Sequence, residues 1–150
     1  MTQTAIPYLF MRGGTSRGPY FNRADLPEDR ETLAEVLLAV VGSGHPLNID
    51  GIGGGAAVTT KVAMLSPSDD AWADVDYFFA QVSVEDRLGD FKPTCGNILS
   101  GVGPAAVELG LVQPTGDHVP NSLLPHANSP AGQRRVNVQR HKLRAQQRGD

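Results

Sequence analysis

Cys95-Gly96-Asn97-Ile98-Leu99-Ser100-Gly101-Val102-Gly103-Pro104 opens a segment in which Ile98, Leu99, Val102, Ala105, Ala106 and Leu109 recur at helical spacing. Gly110 suits its end. As an isolated helix this segment is poor. Gly101 and Gly103 carry a backbone entropy cost, and Pro104 lacks the N–H of one helical hydrogen bond. Small side chains suit instead a helix packed closely inside a sheet or barrel. Such a helix needs strands from the rest of the chain to surround it.

Tyr8-Leu9-Phe10-Met11 is a short apolar run stopped by Arg12-Gly13-Gly14, which reads as a strand entering a turn. Pro19-Tyr20-Phe21 reads as a second short strand. Proline and acidic residues gather in Asp25-Leu26-Pro27-Glu28-Asp29-Arg30-Glu31, where a helix would begin. Leu33, Val36, Leu37, Val40 and Val41 follow at helical spacing, and Gly42 fits the stop. Downstream, Val58 to Leu65 predicts a strand with Val58, Thr60, Val62 and Met64 on one face and Lys61 on the other. Ser66 to Asp70 is a turn, and Tyr77 to Val84 a further strand. This order favours an α+β fold with mostly antiparallel pairing over a βαβ nucleotide fold.

The chain has 150 residues, the size of one ordinary domain, with 40% hydrophobic residues and a mean hydropathy of -0.22. Its apolar stretches fall well short of the ~20 residues a membrane helix needs. Met1-Thr2-Gln3-Thr4-Ala5 lacks the basic and apolar regions of a secretory signal. A single cysteine, Cys95, excludes an internal disulfide framework and a cysteine-based zinc cluster. The cytoplasm is the expected compartment. The net charge of -3 averages two unlike pieces. Residues 1–111 hold 7 Lys and Arg against 14 Asp and Glu, a net of -7. Residues 112–150 hold 6 against 2, a net of +4, and lack Phe, Trp and Tyr. Residues 1–111 are accordingly taken as the domain. The basic tail, 112–150, reads as a disordered end, as a nucleic-acid arm, or as the product of a shifted reading frame.

Two glycine loops carry candidate chemistry. Gly51-Ile52-Gly53-Gly54-Gly55-Ala56 has the letters of a dinucleotide fingerprint, but strand-like residues follow where that fingerprint requires a helix. The remaining readings are a backbone N–H cradle for a carboxylate and a plain flexible turn. Arg12-Gly13-Gly14-Thr15-Ser16-Arg17-Gly18 adds two hydroxyls and two guanidinium groups, suited to gripping carboxylates. Otherwise its arginines are surface charges. Cys95 precedes a predicted helix, whose N–H groups and dipole would favour a thiolate; the alternative is a small buried hydrophobe. Lys61 is a usable acid or base if it faces inward, and a solvated strand lysine if not. His45, before Pro46, lacks metal-ligand spacing and reads as structural.

As a set, Met11 to Gly18, Ile49 to Gly54, Thr59-Thr60-Lys61-Val62 and Cys95 to Pro104 resemble the PrpF-like isomerase family over residues 6–111. The resemblance implies a diaminopimelate-epimerase-like fold. In that fold two similar domains, each a barrel-type sheet round a central helix, close over a substrate. Only the N-terminal half would be present here, the second domain being absent. It also implies Lys61 and Cys95 as catalytic residues, and no cofactor or metal. Substrate contacts are expected from Arg12, Gly13, Gly14, Thr15, Ser16, Arg17, Gly53, Gly54, Thr60, Gly96 and Asn97. Arg17 stands where the family usually has lysine, Thr60 where it has serine, and Thr94 where it has asparagine.

The implied activity is a proton shift on a small unsaturated polycarboxylate. Keto–enol tautomerisation of 4-oxalomesaconate is expected, with methylaconitate cis–trans isomerisation as the alternative. Negative charge developing on the substrate would be held by N–H groups and cations of the two loops. Expected partners are that substrate and, as an open option, a second copy in a homodimer; nucleic acid and membrane are not expected. The competing classes are a non-catalytic carboxylate-binding protein and an inactive half-enzyme with exposed apolar surface.

Overall fold

The clearest helix forms where its end signals sit. Asp29 Oδ1 accepts the Thr32 N–H at 2.8 Å and opens α1 (Arg30–Val41). Gly42 closes it in the left-handed conformation at φ 77°, donating to the Leu38 and Ala39 carbonyls. Leu33, Leu37, Leu38 and Val41 are buried along one side. A computed structural model describes residues 3–71 and 73–113 in full, and the backbone of 118–120, 133–136 and 140–142.

β1 (Leu9–Gly13) and β2 (Ser16–Asn22) form a hairpin in which Gly13 lies opposite Ser16. α1 then carries the chain across to β3 (Lys61–Pro67), which runs parallel to β2 with Tyr20 opposite Ala63. β4 (Val75–Val82) returns antiparallel, pairing Lys61 with Gln81 and Pro67 with Val75. β5 (Gly89–Asp90) adds to the far end of β4. The path β1-β2-β3-β4-β5 is thus antiparallel except at one join, as the element order predicts. α2 (Gly96–Leu99) and α3 (Val102–Glu108) follow. In the tail, β7 (Gln133–Val136) pairs with β4, and β6 (His118–Pro120) pairs with β8 (Arg140–Lys142). The remaining residues of the 112–150 tail beyond Gln113 lie outside the described residues, and with them most of the readings given to it.

Strand alternation splits the core in two. Val62, Met64, Ala80 and Val82 join Phe21 against α1. Ala63, Leu65, Val75, Tyr77 and Phe79 join Tyr20 against Ile98, Leu99, Val102, Ala105 and Ala106 of α2 and α3. The sheet therefore lies between α1 on one face and α2–α3 on the other. Among the described residues no helix is long and apolar enough to cross a membrane.

Four sequence expectations change. The sheet is not a closed barrel among the described residues, since β1 holds one edge while β5 and β7 share the other. Strands spaced about 4.8 Å apart cover roughly 20 Å along this path, well short of the ~60 Å needed to encircle a helix at sheet-packing distance. The segment after Cys95 is not one helix but two. Gly101 donates to Ile98 three residues back, and Pro104 has no N–H to carry the ladder across Ser100. Its burial pattern is nevertheless the expected one. Strand β3 begins at Lys61, because Ala57–Thr59 forms a 3-10 turn that leaves Val58 exposed. Finally, the loop at Ile49–Gly55 is pinned rather than free. Buried Asn48 donates to the Gly42 and His45 carbonyls and accepts the Gly55 N–H at 2.9 Å.

Candidate active site

The β1–β2 turn is pressed onto the start of α2. A side chain at Gly13 would collide with the Asn97 carbonyl, and one at Gly14 with the Asn97 side chain. Asn97 Nδ2 donates to Thr15 Oγ1 at 2.9 Å, locking turn to helix. Gly18 passes so close to the Lys61 carbonyl that a Cβ would overlap it. Glycine at this point is what lets β2 bring the turn beside Lys61. Sequence positions far apart, 13–15 and 97 on one hand and 18 and 61 on the other, are thereby held in contact.

Lys61 is half-buried on the α2–α3 face, sharing it with Ala63 and Leu65. Its Nζ donates to Gln81 Oε1 at 2.6 Å and lies 5.5 Å from the centre of the Phe79 ring. Cys95 is a free, buried thiol at the residue before α2, packed in the same core cluster as Phe79 and Ala63. The Tyr20 hydroxyl enters this cluster as well, donating to the Ile98 carbonyl at 2.7 Å. Burial, and after it the electrostatic influence of neighbouring Cys95, holds the Tyr20 phenol proton well above the ordinary tyrosine range.

A polar strip follows the β1–β2 hairpin, with Arg12 and Arg17 on the face opposite to Tyr20 by strand alternation. Arg17 stacks its guanidinium 5.7 Å from the centre of the Phe10 ring and reaches the space beside Gly54 and Thr59. Its Nε is buried without a hydrogen-bond partner among the described residues, as is Ser16 Oγ, whose residue is 0% exposed. Such buried polar atoms carry a desolvation cost of about 1–3 kcal/mol unless something bonds them. Arg12, Gly14, Thr15, Gly96 and Asn97 are exposed along the same strip, with Arg12 Nη1 3.5 Å from the Thr15 carbonyl. The structure thus joins Gly13, Gly14 and Thr15 to Asn97, Arg12 to Thr15, and Arg17 to Gly54, while Lys61 and Cys95 share the surroundings of Phe79.

Two fall elsewhere in role. The Gly53 N–H is turned inward to the Val41 carbonyl at 3.0 Å, so it cannot serve as a free donor in a carboxylate cradle. The amides of Gly51 and Gly55 are likewise used within the loop, on Asn48. Thr60 is 0% exposed, and its hydroxyl donates to the Val82 carbonyl at 2.6 Å. Sequence reading passed over Gln81 and Tyr20. Gln81 leaves a trace, as a lone amide in the apolar run Tyr77 to Val82; Tyr20 leaves none, since a buried tyrosine is ordinary core material. His45 is structural as expected, its Nδ1 accepting the Leu47 N–H at 3.1 Å. Among the described residues no group of His, Cys, Asp and Glu could hold a metal ion.

The chain belongs to the PrpF protein family, whose pattern it matches over residues 3–128. It is 52% identical over 110–120 residues to two named relatives. One is the 4-oxalomesaconate tautomerase of Pseudomonas putida, sharing 120 residues, 80% of this chain and 33% of the relative. The other is the (4E)-oxalomesaconate Delta-isomerase of Novosphingobium sp., sharing 113 residues, 75% of this chain and 32% of the relative. The crystal structure of a methylitaconate-delta-isomerase superposes with a TM-score of 0.73 at 41% identity, over 77% of this chain and 30% of that one. The chain spans about a third of the length of the relatives it matches.

Proposed function

We propose that this chain carries the proton-moving half of an isomerase acting on a small unsaturated polycarboxylate, with 4-oxalomesaconate keto–enol tautomerisation as its reaction. The supporting observation is the placement of Lys61 and Cys95 on the α2–α3 face of the sheet, with the Gly13–Thr15 turn locked to Asn97 at the start of α2. One carrier removes a proton from the carbon next to the carbonyl. The electron pair moves into the carbonyl, whose oxygen becomes an enolate and is then protonated. The developing charge would be held by Arg12 and Arg17 and by the hydroxyls of Thr15 and Ser16. Side chains alone suffice, with no cofactor. The likeness to methylitaconate isomerase favours a second reading of the reaction, a double-bond shift in which the proton returns to a different carbon; a 2-methyl-aconitate isomerase among the relatives makes methylaconitate the substrate of that reading.

The same reading includes a diaminopimelate-epimerase-like arrangement, in which the sheet curves round α2–α3. In the longer relatives the remaining length would supply a second half over the polar strip. A cytoplasmic setting belongs to it too, since Cys95 must stay a free thiol. Lys61→Ala and Cys95→Ser are each expected to lower turnover of 4-oxalomesaconate by at least ~10²-fold, the scale of general acid–base groups. Solvent deuterium incorporation into the substrate should fall in parallel. Near-normal rates in both variants would overturn the assignment.

A further inference from the structure

Lys61 and Gln81 lie directly opposite each other in the β3–β4 ladder, so their side chains leave the sheet on the same face. The Lys61 ammonium meets Gln81 Oε1 at 2.6 Å. The other half of the amide is held from behind. Gln81 Nε2 donates to Thr60 Oγ1 at 3.1 Å and to the Ala57 carbonyl at 3.1 Å, with the Val82 carbonyl at 3.3 Å. The Thr60 hydroxyl has already given its proton to Val82, so towards Gln81 it can only accept. Turning the amide over would set its NH₂ against the ammonium and its oxygen against carbonyls. The orientation that offers oxygen to Lys61 is therefore dictated by Thr60 and the main chain.

What Lys61 receives is a neutral acceptor. The ion pair found among the described residues, Arg87 with Glu35, does not involve Lys61. The charged or titratable groups on the elements packed around it are Arg17 and Tyr20 on β2, Asp76 and Tyr77 towards the far end of β4, Asp90 on β5 and Cys95 before α2. A neutral acceptor can hold both forms of the lysine. The ammonium donates to it, and so does the free amine, whose lone pair then points away from Gln81. A carboxylate at the same place would instead favour the ammonium and keep the proton.

We propose that Gln81 is the positioning residue of Lys61, a neutral clamp, locked by Thr60, that aims Nζ while leaving it free to gain and lose a proton. The proposal rests on the reading of Lys61 as a proton carrier. Its test is competitive labelling of the full chain with acetic anhydride across pH, following Lys61 against exposed Lys92 as internal reference. Gln81→Glu should move the Lys61 labelling profile to higher pH, lowering reactivity at a fixed pH below its midpoint by about tenfold. Gln81→Met keeps the length but removes the acceptor that favours the ammonium. It should move the profile the opposite way, raising reactivity roughly threefold.

A merely structural Gln81 would move both variants in the same direction or neither, and either result overturns the proposal. If one variant fails to fold, the sign of the other still decides. Labelling reads Lys61 without turnover. Unshifted profiles together with a dead Lys61→Ala enzyme would remove the role of Gln81 alone. Shifted profiles together with an active Lys61→Ala enzyme would remove the catalytic reading alone.

Discussion

Against α1 the sheet sets Phe21, Met64, Val62 and Val82, and the helix answers with Leu33, Leu37, Leu38 and Val41. Against α2 and α3 it sets Tyr20, Ala63, Leu65, Val75, Tyr77 and Phe79, and those helices answer with Ile98, Leu99, Val102, Ala105 and Ala106, with Cys95 just before them. Both faces bury large side chains, and α1 is capped at both ends. The second face also holds a free thiol, adjoins the close main-chain approaches at Gly13 and Gly18, and leaves Ser16 Oγ unbonded among the described residues. The first face is stabilising core alone, while the second combines core with Lys61, Cys95 and the turn.

The contrast can be broken from either side. The largest expected effect is Leu37→Ala, at a fully buried position on the sheet-facing side of α1. It should lower unfolding stability by about 2–5 kcal/mol, the cost of an unfilled core site, in denaturant titration. A value under ~1 kcal/mol would mean that this face is not the stabilising one. Gly18→Ala should come next, at roughly 1–3 kcal/mol, because the added Cβ must push β2 away from the Lys61 carbonyl. It should also lower activity, since the turn and Lys61 separate; stability loss with unchanged turnover would uncouple the two.

Tyr20→Phe is a smaller change on the same face, about 1 kcal/mol, from the lost hydrogen bond to Ile98. It also carries a pH signature. The folded-state pKa of Tyr20 lies above its unfolded value of 10.0, so its contribution is fully present below pH 10.0 and is lost as pH rises further. Wild-type stability should fall more steeply than that of Tyr20→Phe above this pH, as read by denaturation midpoints at successive pH values. The smallest effect belongs to Asp29, at the head of α1. Its carboxyl is held below the ordinary range by the Thr32 N–H, and more weakly by the Thr32 side chain. The Asp29 contribution is therefore present above the usual carboxylate pKa and lost as pH falls through the folded value. The gap between wild type and Asp29→Ala should close in acid and persist at neutral pH.

Some of this was open in the sequence because its causes are local. Asp29 and Gly42 carry the start and stop of α1 in their own side-chain and backbone chemistry. The small residues after Cys95 announced a closely packed helix, and the segments 12–18 and 95–97 were marked as site material by residue type. Tertiary structure decided what depends on meeting a distant partner. Val58 looked like strand, but Ala57–Thr59 forms a turn and β3 starts only at Lys61. Thr60 looked like a ligand contact until its hydroxyl found Val82, and Gly53 like a free donor until its N–H found Val41. Gln81 became visible only when β3 and β4 paired and set it opposite Lys61. A hydrogen bond spends a donor on one acceptor, and which acceptor lies within about 3 Å is settled by the fold.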